Sequence, residues 1–488
     1  MLFNSYVFIL LFLPVAWCIY FLLNRFHLYK TAMAALVVAS FVFYGYQDKR
    51  LCLLLLATIL VNYGFHQILT RLQNGWVKKS VLAVGVLINL SLLFYFKYLD
   101  FAFGTLYRLL GQNYVLKNIV LPLGISFFTF QQISMLVDSA KPDMPRYGFL
   151  EYALFVSFFP QLIAGPIVLH QEMIPQFRDQ EKKKVNYANL TAGLEYFILG
   201  FAKKVLVADA FADICDAGYG NLNSLNVYST ILTILAFTLQ IYFDFSGYCD
   251  MAKGLGKLFN IEIAINFNSP YKALTVADFW KRWHMTLTRF LTQYLYIPLG
   301  GNRKGKVRTY VNIMIVYGLS GLWHGADWNF ILWGIMHGVM QVICRLGKNT
   351  TEKVPKWLQW AGTFAFVNIA WVFFRAEYTM QPFYLLERLF VGGGGLCVDS
   401  MLTEACSGSI GILLLQRILS PQWAVAAKQI WVFLFFVFWT VVCVKMPSTH
   451  EIVEKKIRTE RYFLYLGILF LLSFIGLSQV SKFIYFNF

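Results

Sequence analysis

Several apolar runs in this chain reach the roughly 20 residues that a helix needs to cross a bilayer, and that length limits what the chain can fold into. In hydrocarbon every backbone N–H and C=O must be bonded within the chain, so such runs form helices or a closed barrel. The barrel signature, segments of about ten residues of alternating hydropathy, is missing from the sequence. What remains is an all-α, polytopic membrane protein. Composition agrees. Of the 488 residues, 58% are hydrophobic and 14% charged, where a soluble domain carries about 25% charged. No polar stretch is long enough to bury a core of its own, so residues 1–488 read as a single integral-membrane domain.

The first spans fall near Leu2–Leu23, Met33–Tyr46, Leu51–Leu69 and Val81–Phe96. The first run lacks a preceding basic region and a small-residue cleavage site, so it reads as a retained span. The loop with Arg25, His27 and Lys30 and the loop with Arg71, Lys78 and Lys79 are the better basic ones. They belong in the cytoplasm, with the N-terminus outside. Asn189–Ala208 reads as a helix, and Tyr228–Phe243, Trp357–Phe374, Trp431–Val444 and Phe463–Leu477 as spans. Ile412–Val425 is too interrupted to assign. Val391–Gly408 carries no Lys or Arg and reads as outer, Lys445–Arg461 as cytoplasmic. The total is roughly eleven to thirteen transmembrane or re-entrant helices.

The net charge is +17. Its basic residues are scattered through short interhelical loops, which fits the positive-inside rule and argues against nucleic-acid binding. A negatively charged cytosolic substrate or anionic membrane lipid stays open. The eight cysteines form no C-x-x-C pair, so neither a metal site nor a redox motif is signalled. Cys397 and Cys406 share a Gly-rich loop and can pair if it faces an oxidising compartment.

Against this apolar background the polar residues carry the information. Leu121–Gln132 and Phe158–Pro166 are apolar runs broken by proline, glycine and polar residues. Such breaks survive at membrane depth where the backbone is buried or lines a cavity. Asp244 sits among aromatics and needs a partner, with Lys203, Lys204 and Arg282 the candidates. Asp278–Phe290 mixes aromatics with bases and reads as an interfacial helix, with Asp278 in i,i+4 reach of Arg282. Ile297–Lys306 is a Gly-rich basic turn. Arg303, Lys304, Lys306 and Arg308 either grip phosphate groups or form a positive-inside loop. His324 and His337 lie in the apolar, aromatic Gly321–Gly338, where an ionisable side chain defaults to a functional hypothesis. The alternative is a neutral imidazole bonded to a backbone carbonyl.

The segments LPLGISFFTFQQISMLVD (121–138), FFPQLIAGP (158–166), YFDFSGYCD (242–250), NFNSPYK (266–272), DFWKRWHMT (278–286), YIPLGGNR (296–303), Gly321–Gly338 and FIYFNF (483–488) together resemble the membrane-bound O-acyltransferases. The nearest branch is the one that acetylates alginate and peptidoglycan. The resemblance implies a bundle of tilted helices around a funnel or tunnel. It implies His324 as the catalytic histidine, His284 as a second family histidine, and a supporting role for His337. The chain departs from the family at Thr292-Gln293, where Arg-Asp is common, and at Cys249, where serine is usual.

The resemblance further implies acetyl transfer from cytosolic acetyl-coenzyme A, as donor substrate and with no bound cofactor, to the outer side of a bacterial cytoplasmic membrane. The acceptor would be a polysaccharide or a separate periplasmic transferase. A hydroxyl is a weak nucleophile near neutral pH and needs a positioned base, the role expected of His324. His284 is expected to polarise the thioester carbonyl or hold the acyl group, and the four basic residues to contact the donor's phosphates. Two other readings stay open: D-alanyl transfer from a carrier protein to teichoic acid, and a transporter or channel with His324 in a proton or solute path.

Overall fold

The computed structural model describes residues 1–73, 75–347, 353–393, 397–405, 421–455, 458–478 and 483–484. They form helices and connecting loops, with no strand among them. Cys406 and much of the 412–425 segment lie outside the described residues, as do residues 485–488.

The chain opens with α1 (Phe8–Arg25), α2 (Tyr29–Gly45), α3 (Arg50–Leu69) and α4 (Trp76–Leu109). These match the first four expected spans, and α4 runs on well past the apolar stretch. After a loop comes α5 (Ile125–Ser139), and then, with shorter helices between them, α6 (Tyr187–Ala202) and α7 (Val227–Leu258). Next are two short helices, α8 (Val276–Arg282) and α9 (Met285–Leu291), then α10 (Lys306–His324), α11 (Trp328–Leu346), α12 (Lys356–Arg375), α13 (Pro421–Lys445) and α14 (Glu460–Ile475). Among the described residues, seven helices are long and apolar enough to cross a membrane, and α2 is a shorter apolar one. The all-α, polytopic architecture is the one expected.

Side-chain caps start the polar-flanked helices. Asn186, Asn226, Thr275 and Asp327 each accept a backbone N–H in the first turn of the helix that follows, replacing a bond the helix start lacks. In α7 the apolar run was expected to stop near Phe243. The helix instead continues to Leu258, because its charges are matched from other segments. Lys204 lies 2.7 Å from Asp244, and Lys203 2.7 Å from Asp250. Of the three candidates for Asp244, the structure picks Lys204.

Glycine brings α6 and α7 into backbone contact. A Cβ at Gly200 would stand 2.5 Å from the Gly247 carbonyl, and one at Gly193 2.9 Å from that of Gly254. Small residues let helices approach where lipid supplies no hydrophobic drive. Gly321 of α10 and Gly334 of α11 do the same. Their Cβ atoms would meet the carbonyls of Phe330 and Tyr317 at 2.2 and 2.3 Å. This pair closes the α10–α11 hairpin around the turn Gly325–Asp327.

Asp278–Phe290 is not a single interfacial helix. It breaks at Trp283-His284 into α8 and α9, and Trp280, Trp283 and His284 are buried. The Asp278–Arg282 pair does form, at 3.0 Å within α8.

Candidate active site

His324 is the last residue of α10, 3% exposed. Rings enclose it: the centroids of Trp323, Trp333 and Phe374 stand 4.8, 4.9 and 5.4 Å away. Its Nδ1 is 2.6 Å from the Ser320 carbonyl oxygen, one turn back. A carbonyl only accepts, so Nδ1 carries the proton and Nε2 is the basic nitrogen of the neutral ring.

His284 fills the break between α8 and α9, in the left-handed region with φ 44°. Non-glycine residues are uncommon there, and histidine is among the types that tolerate it. Asn266 holds it. The Asn266 carbonyl accepts the Met285 N–H at 3.0 Å, and Oδ1 stands 3.2 Å from His284 Nδ1. Oδ1 also accepts from the Thr286 N–H and hydroxyl at 3.2 and 2.9 Å. The Thr286 N–H only donates, which fixes the orientation of the Asn266 amide, so His284 too is protonated at Nδ1. Its Nε2 has no hydrogen-bond partner among the described residues. The Asn266 amide nitrogen donates to Cys249 Sγ at 3.2 Å, so the cysteine at the variant position stays in this network. The His284 and His324 rings are 6.4 Å apart, both edging Trp323.

His337 is different. Trp280 Nε1 lies 3.1 Å from its Nδ1, and an indole N–H only donates. The His337 lone pair is therefore spent on Trp280 and its proton sits on Nε2. Packed against Phe279, Trp280, Trp333 and Phe366, it serves as a bonded core residue.

Cavities approach α10 along two courses. One of about 190 Å³, lined by Trp280, Thr288, Thr292, Tyr317, Ser320 and Arg345, adjoins an open cleft of about 500 Å³ beside Lys281, Met285, Arg289 and Gln293. Thr292 and Gln293, where the sequence departs from the resemblance, thus border this approach. The second course is a cleft of about 290 Å³ between Tyr95, Lys97, Asp100, Leu121, Asp327 and Phe330. It meets, at Lys97 and Leu121, a cavity of about 40 Å³ lined by Gly124–Phe127, Ile163, Trp323 and His324. The two broken segments, 121–132 and 158–166, both contribute to that cavity, as expected of interrupted backbone.

The basic cluster stands apart. Arg303, Lys304, Lys306 and Arg308 are all exposed. Lys306 and His324 are at opposite ends of α10, about 27 Å apart at 1.5 Å per residue. Lys97, which touches the His324 backbone, is about 28 Å along α4 from Lys78 by the same rise.

The sequence pointed to the two facing histidines and held Asn266 only as the start of a resembling segment, with no role; Lys97 and Ser320 were not singled out. Lys97 carried a signal, a lone cation directly after an apolar run. Among the described residues no group of three His, Cys, Asp or Glu side chains can hold a metal ion.

The sequence profile of the membrane-bound O-acyltransferase family matches residues 42–380. The chain is 42% identical to a peptidoglycan O-acetyltransferase of Helicobacter pylori, covering 83% of this chain and 82% of that one. It is 38% identical to a probable alginate O-acetylase of Pseudomonas aeruginosa over 80% and 75% of the two chains. A teichoic acid D-alanyltransferase of Bacillus subtilis is 24% identical over 55% and 69%.

Proposed function

Because the chain belongs to the membrane-bound O-acyltransferase family, we propose that His324 is the general base of an acetyl transfer from cytosolic acetyl-coenzyme A to a hydroxyl on the outer side of the membrane. The chain is an acyltransferase and a multi-pass protein of the bacterial cytoplasmic membrane. The acceptor of this reading is an extracytoplasmic polysaccharide such as peptidoglycan or alginate, reached directly or through a separate extracytoplasmic transferase.

The observation that carries the reading is the 2.6 Å contact between His324 Nδ1 and the Ser320 carbonyl oxygen, which sets the tautomer of the neutral ring. With Nδ1–H committed to Ser320, Nε2 is the nitrogen able to take the hydroxyl proton. The hydroxyl oxygen attacks the thioester carbonyl, a C–O bond forms, and the C–S bond breaks. Nε2 holds the proton in between and returns it to the leaving thiolate. The Ser320 carbonyl steadies the transient imidazolium through Nδ1–H. His284, also protonated on Nδ1, presents an acceptor nitrogen. That suits it to orient a substrate N–H or O–H. Polarising the thioester carbonyl needs a donor, which the neutral ring lacks at Nε2. Donor entry along Thr288, Thr292, Tyr317 and Ser320 leaves the nucleotide end near Lys281, Arg345 and the Arg303–Arg308 turn.

Purified protein given acetyl-coenzyme A labelled in its acetyl group tests the donor, with a D-alanyl-charged carrier protein alongside. Consumption of the coenzyme thioester, lost in His324→Ala, is the expected result. Consumption of the charged carrier alone overturns the donor assignment.

A further inference from the structure

α10 ends inside the protein, and its last carbonyls need donors that lipid cannot supply. α4 supplies them. The Lys97 ammonium lies 2.6 Å from the Trp323 carbonyl oxygen, 3.1 Å from that of His324 and 3.4 Å from Ser126 Oγ. The neighbouring Tyr98 hydroxyl donates to the Leu322 carbonyl at 3.1 Å. Both residues stand in a π-helical turn, Phe94–Tyr98. A π-turn inside an α-helix holds an extra residue and occurs often at functional sites. A cation at a helix C-terminus also complements its dipole, and a charged donor makes the stronger bond. Three consecutive carbonyls, Leu322 to His324, are thus fixed from one turn of another helix. The same ammonium lines both the 290 Å³ cleft and the 40 Å³ cavity at His324.

We propose that Lys97 is a positioning residue of the acyl-transfer site: it fixes the end of α10, and with it the His324 ring, and it stands at the junction through which the hydroxyl acceptor reaches that ring. Loss of the ammonium leaves the two carbonyls without their donor and lets the Trp323–His324 backbone shift. The base is then displaced from the acceptor, while the donor approach along Thr288, Thr292 and Tyr317 keeps its walls. The proposal rests on the acyltransferase role given to His324.

The test compares Lys97→Met, Lys97→Arg and Tyr98→Phe in the full-length protein, with His324→Ala in parallel and Lys117→Met as an exposed-lysine control. Each is assayed for transfer of labelled acetyl from acetyl-coenzyme A, after its fold is checked by thermal unfolding. A misplacement of the order of 1 Å costs about 100-fold in rate, so Lys97→Met is expected to lose about that factor in kcat with the donor KM unchanged. Lys97→Arg, which keeps a charged donor, recovers part of the loss, and Tyr98→Phe shows a smaller drop of the same kind. A variant that merely loosened the fold would lower the active fraction without the rescue by arginine. If Lys97→Met does not fold, Lys97→Arg and Tyr98→Phe carry the test. Normal kcat in the folded substitutions, or a rise in donor KM in place of the kcat loss, overturns the proposal. Full activity in His324→Ala overturns the acyltransferase role of His324 instead.

Discussion

His324 and His337 sit on the two arms of one hairpin, α10 and α11, and both are buried among tryptophan and phenylalanine rings. Their sequence contexts are nearly alike, each a histidine followed by glycine in an apolar helix. What separates them is the atom facing Nδ1. For His324 it is a carbonyl, which accepts a hydrogen bond from Nδ1–H and leaves Nε2 as the basic nitrogen. For His337 it is an indole N–H, which consumes the lone pair. Burial and residue type are therefore the same for a candidate base and a structural histidine, and the bonding partner distinguishes them.

The strongest way to break this contrast is at His324. A positioned general base contributes typically 10²–10⁴-fold, so His324→Ala is expected to lose about 1,000-fold in kcat for acetyl transfer in the folded fraction, whatever the cavity costs in unfolding temperature. The next effect is at His284, where alanine is expected to cost about 100-fold in the same assay. Asn266→Ala should follow in the same direction, because it frees both the ring and the helix break. His337→Phe keeps an aromatic ring in the site and leaves the Trp280 N–H unbonded, at a cost of roughly 1–3 kcal/mol. It should lower the unfolding temperature and leave most of the turnover. If it abolishes turnover in folded protein, the contrast fails. The smallest effect belongs to the Arg303, Lys304, Lys306 and Arg308 cluster. Neutralising all four is expected to raise the donor KM several-fold at unchanged kcat. An unchanged KM would mean they form only a positive-inside loop.

Hydropathy made the long spans legible, because α1, α3, α4 and α12 expose much of their apolar surface and so read as continuous apolar runs. It failed for the part of α7 beyond Phe243. There Asp244 and Asp250 meet lysines that follow α6, a pairing fixed by tertiary contact alone. It failed again at α8–α9, where a left-handed histidine interrupts a pattern that suits one helix. The backbone contacts at Gly200–Gly247 and Gly321–Gly334 join segments separated in sequence, so neither glycine in a pair signals its partner. Of the site, His324 and His284 were legible through the resemblance. Lys97 was passed over as the flank of a span ending near Phe96, yet α4 continues to Leu109 and carries its ammonium to the end of α10.

The most direct measurement is acetyl transfer by His324→Ala beside His337→Phe, both purified, folded and supplied with the same labelled acetyl-coenzyme A and acceptor. The account predicts transfer lost in the first and largely kept in the second. Transfer kept in His324→Ala and lost in His337→Phe would contradict it, and would move the base to the other arm of the hairpin.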